Sequence, residues 1–143
     1  DYHQVVKGEC PCKTGLEVNG RNVTVHGLAV EHANEDQVVW NGEGGDVQFY
    51  QCELPYDAGP DFAKSGFTGY RVSPDVVSHE AGGMGVYSNF RDHDVKVETA
   101  IRHPCPQQVI NPYTVKLDNQ GMIMSVLNGK GRPAIDQGVP VWL

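Results

Sequence analysis

A run of alternating apolar residues recurs along this chain at a fixed spacing, and that recurrence limits the possible folds more than any other feature. Val23 and Val25, then Leu28 and Val30, alternate with polar neighbours, and the parity of the alternation changes across Gly27. An offset of 24 carries these four residues onto Val47, Phe49, Cys52 and Leu54, with the change of parity at the same point. Alternation with a period of two marks a strand with one buried face, and a change of parity is what a bend or bulge produces. An offset of 48, twice the first, carries Leu28 to Val76, Val38 to Val86, Asn41 to Asn89, Val47 to Val95 and Phe49 to Val97. A strand-forming unit of this length cannot bury its apolar row until the next unit stacks on it, so the expected fold is an all-β solenoid, a parallel β-helix. Two registers fit: either the shorter offset is one coil, or the longer offset is one coil that carries a long loop. An antiparallel β-sandwich is the structural alternative, because it too is built from short strands and Gly-rich turns.

Composition agrees with strands and turns. Valine far outnumbers leucine, and 17 Gly and 9 Pro disfavour helices, so very little helix is expected. With 143 residues the chain is expected to form a single domain, 1–143, or the terminal fragment of a larger protein. The net charge of −7 comes without a Lys/Arg cluster, which argues against a nucleic-acid partner. No apolar run approaches the roughly 20 residues that cross a bilayer, so no membrane partner is expected.

The residues from Pro55 to Gly69, PYDAGPDFAKSGFTG, break the pattern and read as an excursion from the stack, of a length that often carries function. An open stack exposes strand edges at its ends. End-to-end self-association, or association with the rest of a longer β-helix, is therefore expected. The four cysteines, Cys10, Cys12, Cys52 and Cys105, allow three pairings, of which Cys10 with Cys12 is the most strained. Disulfide candidates are Cys10, Cys12 and Cys105, against the alternative that all are reduced and Cys52 is a small core residue. Asn22-Val23-Thr24 is a glycosylation sequon, and with the even cysteine count it gives the expectation of a secreted protein, extracellular or in a cell wall.

Between Val23 and Asp94 stand NVTVHGLAVEH, QVVWNGEGG, FYQCELPYD and HEAGGMGVYSNFRDH. These segments resemble the C-terminal part of large secreted β-helix proteins of the pectate-lyase-like superfamily, the group that includes family 55 glycoside hydrolases acting on β-1,3-glucan. The resemblance implies a right-handed parallel β-helix, secretion and a polysaccharide partner. It carries no catalytic residue onto a numbered position here.

Glycoside hydrolysis needs two carboxyl groups flanking the scissile bond, one of them able to donate a proton. The offset of 48 pairs Glu31-His32 with His79-Glu80, and Glu53 and Asp57 flank the mouth of the excursion, so Glu31, Glu53, Asp57 and Glu80 are the candidate catalytic residues. Sugar rings stack on aromatic faces, which makes Trp40, Tyr56 and Tyr87, with His79, the candidate substrate contacts. Each also has an ordinary structural explanation as a core ring or a solvated polar group on a strand. Asp92-His93-Asp94 has metal-ligand residue types, but alternate strand residues face opposite sides, so it reads as a polar turn. No metal and no cofactor is expected. The competing functional reading is a non-catalytic fibre subunit or adhesin.

Overall fold

The computed structural model describes residues 10–143, and its regular secondary structure is almost all strand, joined by turns and irregular segments. One five-residue helix, α1 (Pro60–Lys64), lies in the excursion, and one short 3-10 turn spans Pro106–Gln108. The longest sheet is built from β2 (Thr24–Ala29), β4 (Gly45–Glu53), β6 (His79–Ser88), β10 (Tyr113–Lys116) and β12 (Val141–Trp142), with the short β9 (Val109–Ile110) also on β6. A second sheet orders β1 (Leu16–Val18), β3 (Val38–Trp40), β5 (Tyr70–Val72) and β8 (Ile101–Arg102). The third pairs β7 (Lys96–Val97) with β11 (Met122–Ile123). Every ladder between these strands is parallel except that of β10 with β12. Among the described residues the facing antiparallel hairpins of a sandwich are not formed.

Parallel strands that follow one another in sequence, each paired with the next pass, put like residues in columns. Val38, Tyr70 and Ile101 stack across β3, β5 and β8. Val47 stacks on Ala81, Tyr50 on Met84, and Cys52 on Val86 between β4 and β6. These side chains are all buried and form one continuous core with Trp40, Leu54 and Phe90. The observed registers correct the expected offsets. Thr24 pairs with Asp46, Gly45 with His79 and Tyr113 with Gly85, so successive passes are of unequal length and neither uniform offset holds. Val47 meets Val25 and Ala81, not Val23 and Val95. The longest step, from β4 to β6, contains the excursion with α1, which takes up the extra chain.

The change of parity at Gly27 is a stacked bulge. Pairing runs from His26, Gln48 and Gly82 directly to Leu28, Tyr50 and Met84, skipping Gly27, Phe49 and Gly83, whose φ angles are +71°, +61° and +62°. One extra residue in a left-handed conformation turns the alternation over, so the apolar residues on both sides of it face inward.

The core holds polar groups too. His79 has no solvent exposure, and its Nε2 lies 3.0 Å from the Tyr70 hydroxyl, with the Trp40 ring 4.8 Å away between centroids. Burial, and next the nearby His103, push its pKa down from 6.5 to about 4. The unfolded chain thus binds more protons than the folded one between these values, and stability falls as pH drops through that window. About 2 kcal/mol is expected to be lost between pH 7.5 and 4.5 through this one residue. Urea midpoints at the two pH values check it, and His79→Phe should flatten the slope relative to wild type. An equal slope in the variant would remove His79 as the cause.

The four cysteines are free thiols, so the disulfide expected among Cys10, Cys12 and Cys105 is not formed. Cys10 and Cys12 are exposed, Cys105 turns its sulfur toward the Val77 carbonyl at 3.3 Å, and Cys52 sits in the core with its thiol pKa pushed far up by burial.

Candidate functional site

Residues after the bulge on β4 place Tyr50 and Cys52 inward, so Phe49, Gln51 and Glu53 face out. The same alternation on β6 turns Gly85 and Tyr87 outward, opposite Gln51 and Glu53. Tyr113 lies beside Gly85, and Trp142 beside Tyr113. Parallel partners share a face of the sheet. The outer face of the longest sheet therefore carries Phe49, Tyr87, Tyr113 and Trp142, with Phe49 74% and Trp142 57% exposed. The Tyr113 and Trp142 rings are 4.4 Å apart, and the Tyr87 and Tyr113 hydroxyls are hydrogen-bonded at 2.8 Å.

Two carboxylates complete this face. The ladder pairs Ala29 with Gln51, and the amide of His32 donates to the Glu53 carbonyl, so the register continues and Glu31 stands beside Glu53. Neighbouring strands are about 4.8 Å apart, a separation from which two carboxyl groups can reach either hydrolytic geometry. Gln51 Nε2 donates to Glu31 Oε1 at 2.6 Å, and the Tyr56 hydroxyl donates to Glu53 Oε2. His32 meets Tyr56 edge-on with centroids 4.5 Å apart. Burial, then the Glu53 hydrogen bond and the charges of Glu53 and Glu31, push the Tyr56 phenol up to about 12. Tyr87 is also pushed well above the usual tyrosine range by burial and by Tyr113. Both phenols stay protonated at neutral pH; Tyr56 donates to Glu53, while the Tyr87 and Tyr113 hydroxyls share one hydrogen bond.

Glu31, Glu53, Tyr56 and Tyr87 of the expected site residues thus converge. The others do not. Glu80 pairs with Asp46 on the far side of the bulge, so the expected equivalence of Glu31-His32 with His79-Glu80 fails with the offset of 48. Asp57 lines a separate hollow of about 240 Å³ with Asn34, Asp61, Phe62 and Phe67 around α1. Trp40 and His79 have no exposed surface and present no face to a ligand. Trp40 Nε1 instead donates to the Gly42 carbonyl at 3.0 Å, fixing the turn before β4. Asp92 takes the Arg91 guanidinium at 2.7 Å. Among the described residues no three or more His, Cys, Asp or Glu side chains converge to hold a metal ion. Asn22 is exposed in the turn before β2 with a left-handed φ of 55°.

Phe49, Gln51, Tyr113 and Trp142 complete the face without having been singled out by sequence reasoning. The true register was the missing signal, because Phe49 falls against Gly27 and Gly83 only when the passes are aligned on the unequal steps that the ladders show. A left-handed φ costs a residue with a side chain about 1–2 kcal/mol, and Phe49 carries that cost while exposed.

Comparisons with known proteins agree with one another. Residues 2–53 match the LAM55 pectate lyase-like domain. An exo-β-1,3-glucanase from Streptomyces sp. (strain SirexAA-E / ActE) is 37% identical over 128 residues, which is 83% of this chain and 21% of that protein. The structure of sacteLam55A from Streptomyces sp. SirexAA-E superimposes with a TM-score of 0.88 at 31% identity, covering 95% of this chain and 26% of that one. A variant of sacteLam55A in complex with glucose gives the same TM-score at 30% identity. The chain spans about a fifth to a quarter of these relatives' own length.

Proposed function

We propose that this chain, a relative of the family 55 pectate-lyase-like proteins, is a glycoside-hydrolase-like domain that engages a β-1,3-glucan on the outer face of its longest sheet. The observation that carries the reading is the convergence of Glu31 and Glu53 with Tyr56, Tyr87 and Tyr113 on one accessible face. Aromatic faces suit the axial C–H groups of a glucose ring, and the phenols, Gln51 and the carboxylates suit its hydroxyls. Glu31 and Glu53 are the two carboxyl groups in position to share acid and base roles at a glycosidic bond. The parallel ladders, stacked columns and repeated bulge support a right-handed parallel β-helix segment as the architecture.

Secretion to the exterior or the cell wall accords with a polymeric substrate, and the exposed Asn22 offers an acceptor for glycosylation there. Docking against the rest of a longer β-helix fits the share of the relatives that the chain covers. The alternative of a fibre subunit has no counterpart among the relatives named above.

Glucan pull-down and calorimetric titration of the purified chain with β-1,3-gluco-oligosaccharides test the reading. Micromolar to millimolar binding is expected, with Tyr87→Ala or Trp142→Ala weakening it about fivefold each, the equivalent of one lost stacking contact. A chain that binds no β-1,3-glucan, soluble or insoluble, removes the proposal.

A further inference from the structure

Ala29, Gln51, Gly85, Tyr113 and Trp142 form one row across the outer face of the longest sheet, one residue from each of its five successive strands. Gly85 is the gap in that row. Its φ lies outside the left-handed region that Gly83 occupies two residues earlier, so the backbone itself does not call for glycine. A glycine inside a strand loses more chain entropy on folding than any other residue and has no side chain to pack, and it often marks a close approach by another group.

The group that approaches is Tyr113. A methyl placed on Gly85 would lie 2.5 Å from both Cζ and Oη of Tyr113 and 3.0 Å from its Cε2. The phenol therefore leans from β10 onto β6 and fills the space of the missing Cβ, which leaves Gly85 buried although it sits on the outer face. Three contacts then fix the ring. Gly85 lies beneath its far end, the Tyr87 hydroxyl is 2.8 Å from its own with the two rings at 90°, and Trp142 is 4.4 Å away between centroids on the side of β12. We propose that Gly85 is a positioning residue that holds Tyr113 and Trp142 as a preformed stacking platform for a sugar ring. The inference rests on the glucan reading of this face and goes further by naming the backbone position that orders its rings. An aromatic group already held in place loses little freedom when a ligand stacks on it, so order in the free protein becomes affinity. With a side chain at position 85 the phenol has to lift, parting from the Tyr87 hydroxyl and from Trp142. The obstructed group is the far end of a side chain, so the ring moves and the strand stays.

Three measurements on wild type, Gly85→Ala, Tyr113→Ala and the double variant test the proposal: the thermal midpoint, the fluorescence emission of Trp142, and calorimetric titration with a β-1,3-gluco-oligosaccharide. Trp142 emission is taken as the difference between each protein and the same protein carrying Trp142→Phe. Gly85→Ala is expected to keep its midpoint within about 2 °C of wild type, since the strand is undisturbed. Its Trp142 emission should shift to the red as in Tyr113→Ala, because both changes take the phenol away from the indole. Affinity should fall about fivefold in Gly85→Ala and about tenfold in Tyr113→Ala. The double variant should bind within about twofold of Tyr113→Ala, because the methyl does no harm once the ring it displaces is gone. Unchanged Trp142 emission or undiminished affinity in Gly85→Ala, with wild type binding normally, would overturn the inference and leave the glucan reading intact. A loss of about fiftyfold in the double variant, the product of the two single losses, would overturn it by making the two residues independent. A midpoint lowered by more than about 5 °C in Gly85→Ala would assign Gly85 to the fold and overturn it as well. Failure of wild type to bind the oligosaccharide would remove both readings.

Discussion

On the hydrolytic reading proposed above, replacing Glu53 by glutamine is expected to lower the rate of reducing-sugar release from β-1,3-glucan at least about 100-fold, the scale of a lost proton-transfer group. The side chain keeps its shape in this variant, and Tyr56 can still donate to the amide oxygen, so the local structure is held while the titratable oxygen is lost. Glu31→Gln should have an effect of the same order, because the register sets Glu31 beside Glu53 and Gln51 keeps it oriented. Binding of the oligosaccharide should change little in either variant, since hydroxyl contacts with an amide replace those with a carboxylate. Asp57→Asn and Glu80→Gln serve as comparisons expected to keep full activity, because one carboxylate faces the hollow at α1 and the other stands opposite Asp46. Retention of the wild-type rate by Glu53→Gln would exclude Glu53 from the chemistry. Loss of rate in Glu80→Gln of equal size would move the site across the bulge.

Sequence patterning made the strands and their faces legible but not their neighbours. Val23, Val25, Leu28 and Val30 do point toward the core, and the bulge falls at Gly27 where the parity changes. Inward and outward faces repeat every two residues, so two even offsets agree on the side a residue faces except across the bulge, where the offset of 24 carries inward Val25 onto outward Phe49. They do not place the same side chains together. Val25 sits beside Val47 rather than Phe49, and this slip by one repeat of the alternation hid the stacking of Phe49 between two glycines. The step from β4 to β6 was further obscured by Pro55–Gly69, because with that loop the pass from Gly45 to His79 matches neither the offset of 24 nor the offset of 48, although a long loop within one coil was one of the two registers considered.

The candidate site shows the same division. Glu53 and Tyr56 lie close in sequence, at the junction of a strand with a loop, and their association follows from local structure. Glu31, Tyr87 and Tyr113 join them only through ladder registers, which depend on how much chain each loop consumes. Trp40 and His79 were misplaced for another reason. A tryptophan beside Gly-rich turns, or a histidine at the start of a strand, carries no sequence mark of whether it faces in or out. The structure puts both rings in the core, where the Tyr70 hydroxyl meets His79 and the Gly42 carbonyl meets Trp40.

Those two buried rings lead to the second large effect, at Gly45. The residue opens β4 and pairs with His79 on β6. A methyl group in its place would lie 2.2 Å from His79 Nδ1, 2.6 Å from Trp40 Nε1 and 2.7 Å from His79 Cε1. Neither ring has free space to move into, since Trp40 is hydrogen-bonded to Gly42 and His79 packs against Tyr70 and His103. Gly45→Ala is therefore expected to destabilise the fold by about 3 kcal/mol, the upper range for overpacking a core. Gly59→Ala is the comparison, because a methyl there meets nothing within 4 Å and the backbone is extended, and it should stay within about 0.5 kcal/mol of wild type. Urea unfolding of both variants at pH 7.5 measures the difference. The position also couples fold to site, because β4 runs unbroken from Gly45 to Glu53 and carries Phe49, Gln51 and Glu53 on its outer side. Displacing its start should shift those groups relative to β6 and weaken glucan binding along with stability. A Gly45→Ala protein as stable as wild type would mean that the Trp40 and His79 rings are not held as tightly as their contacts imply.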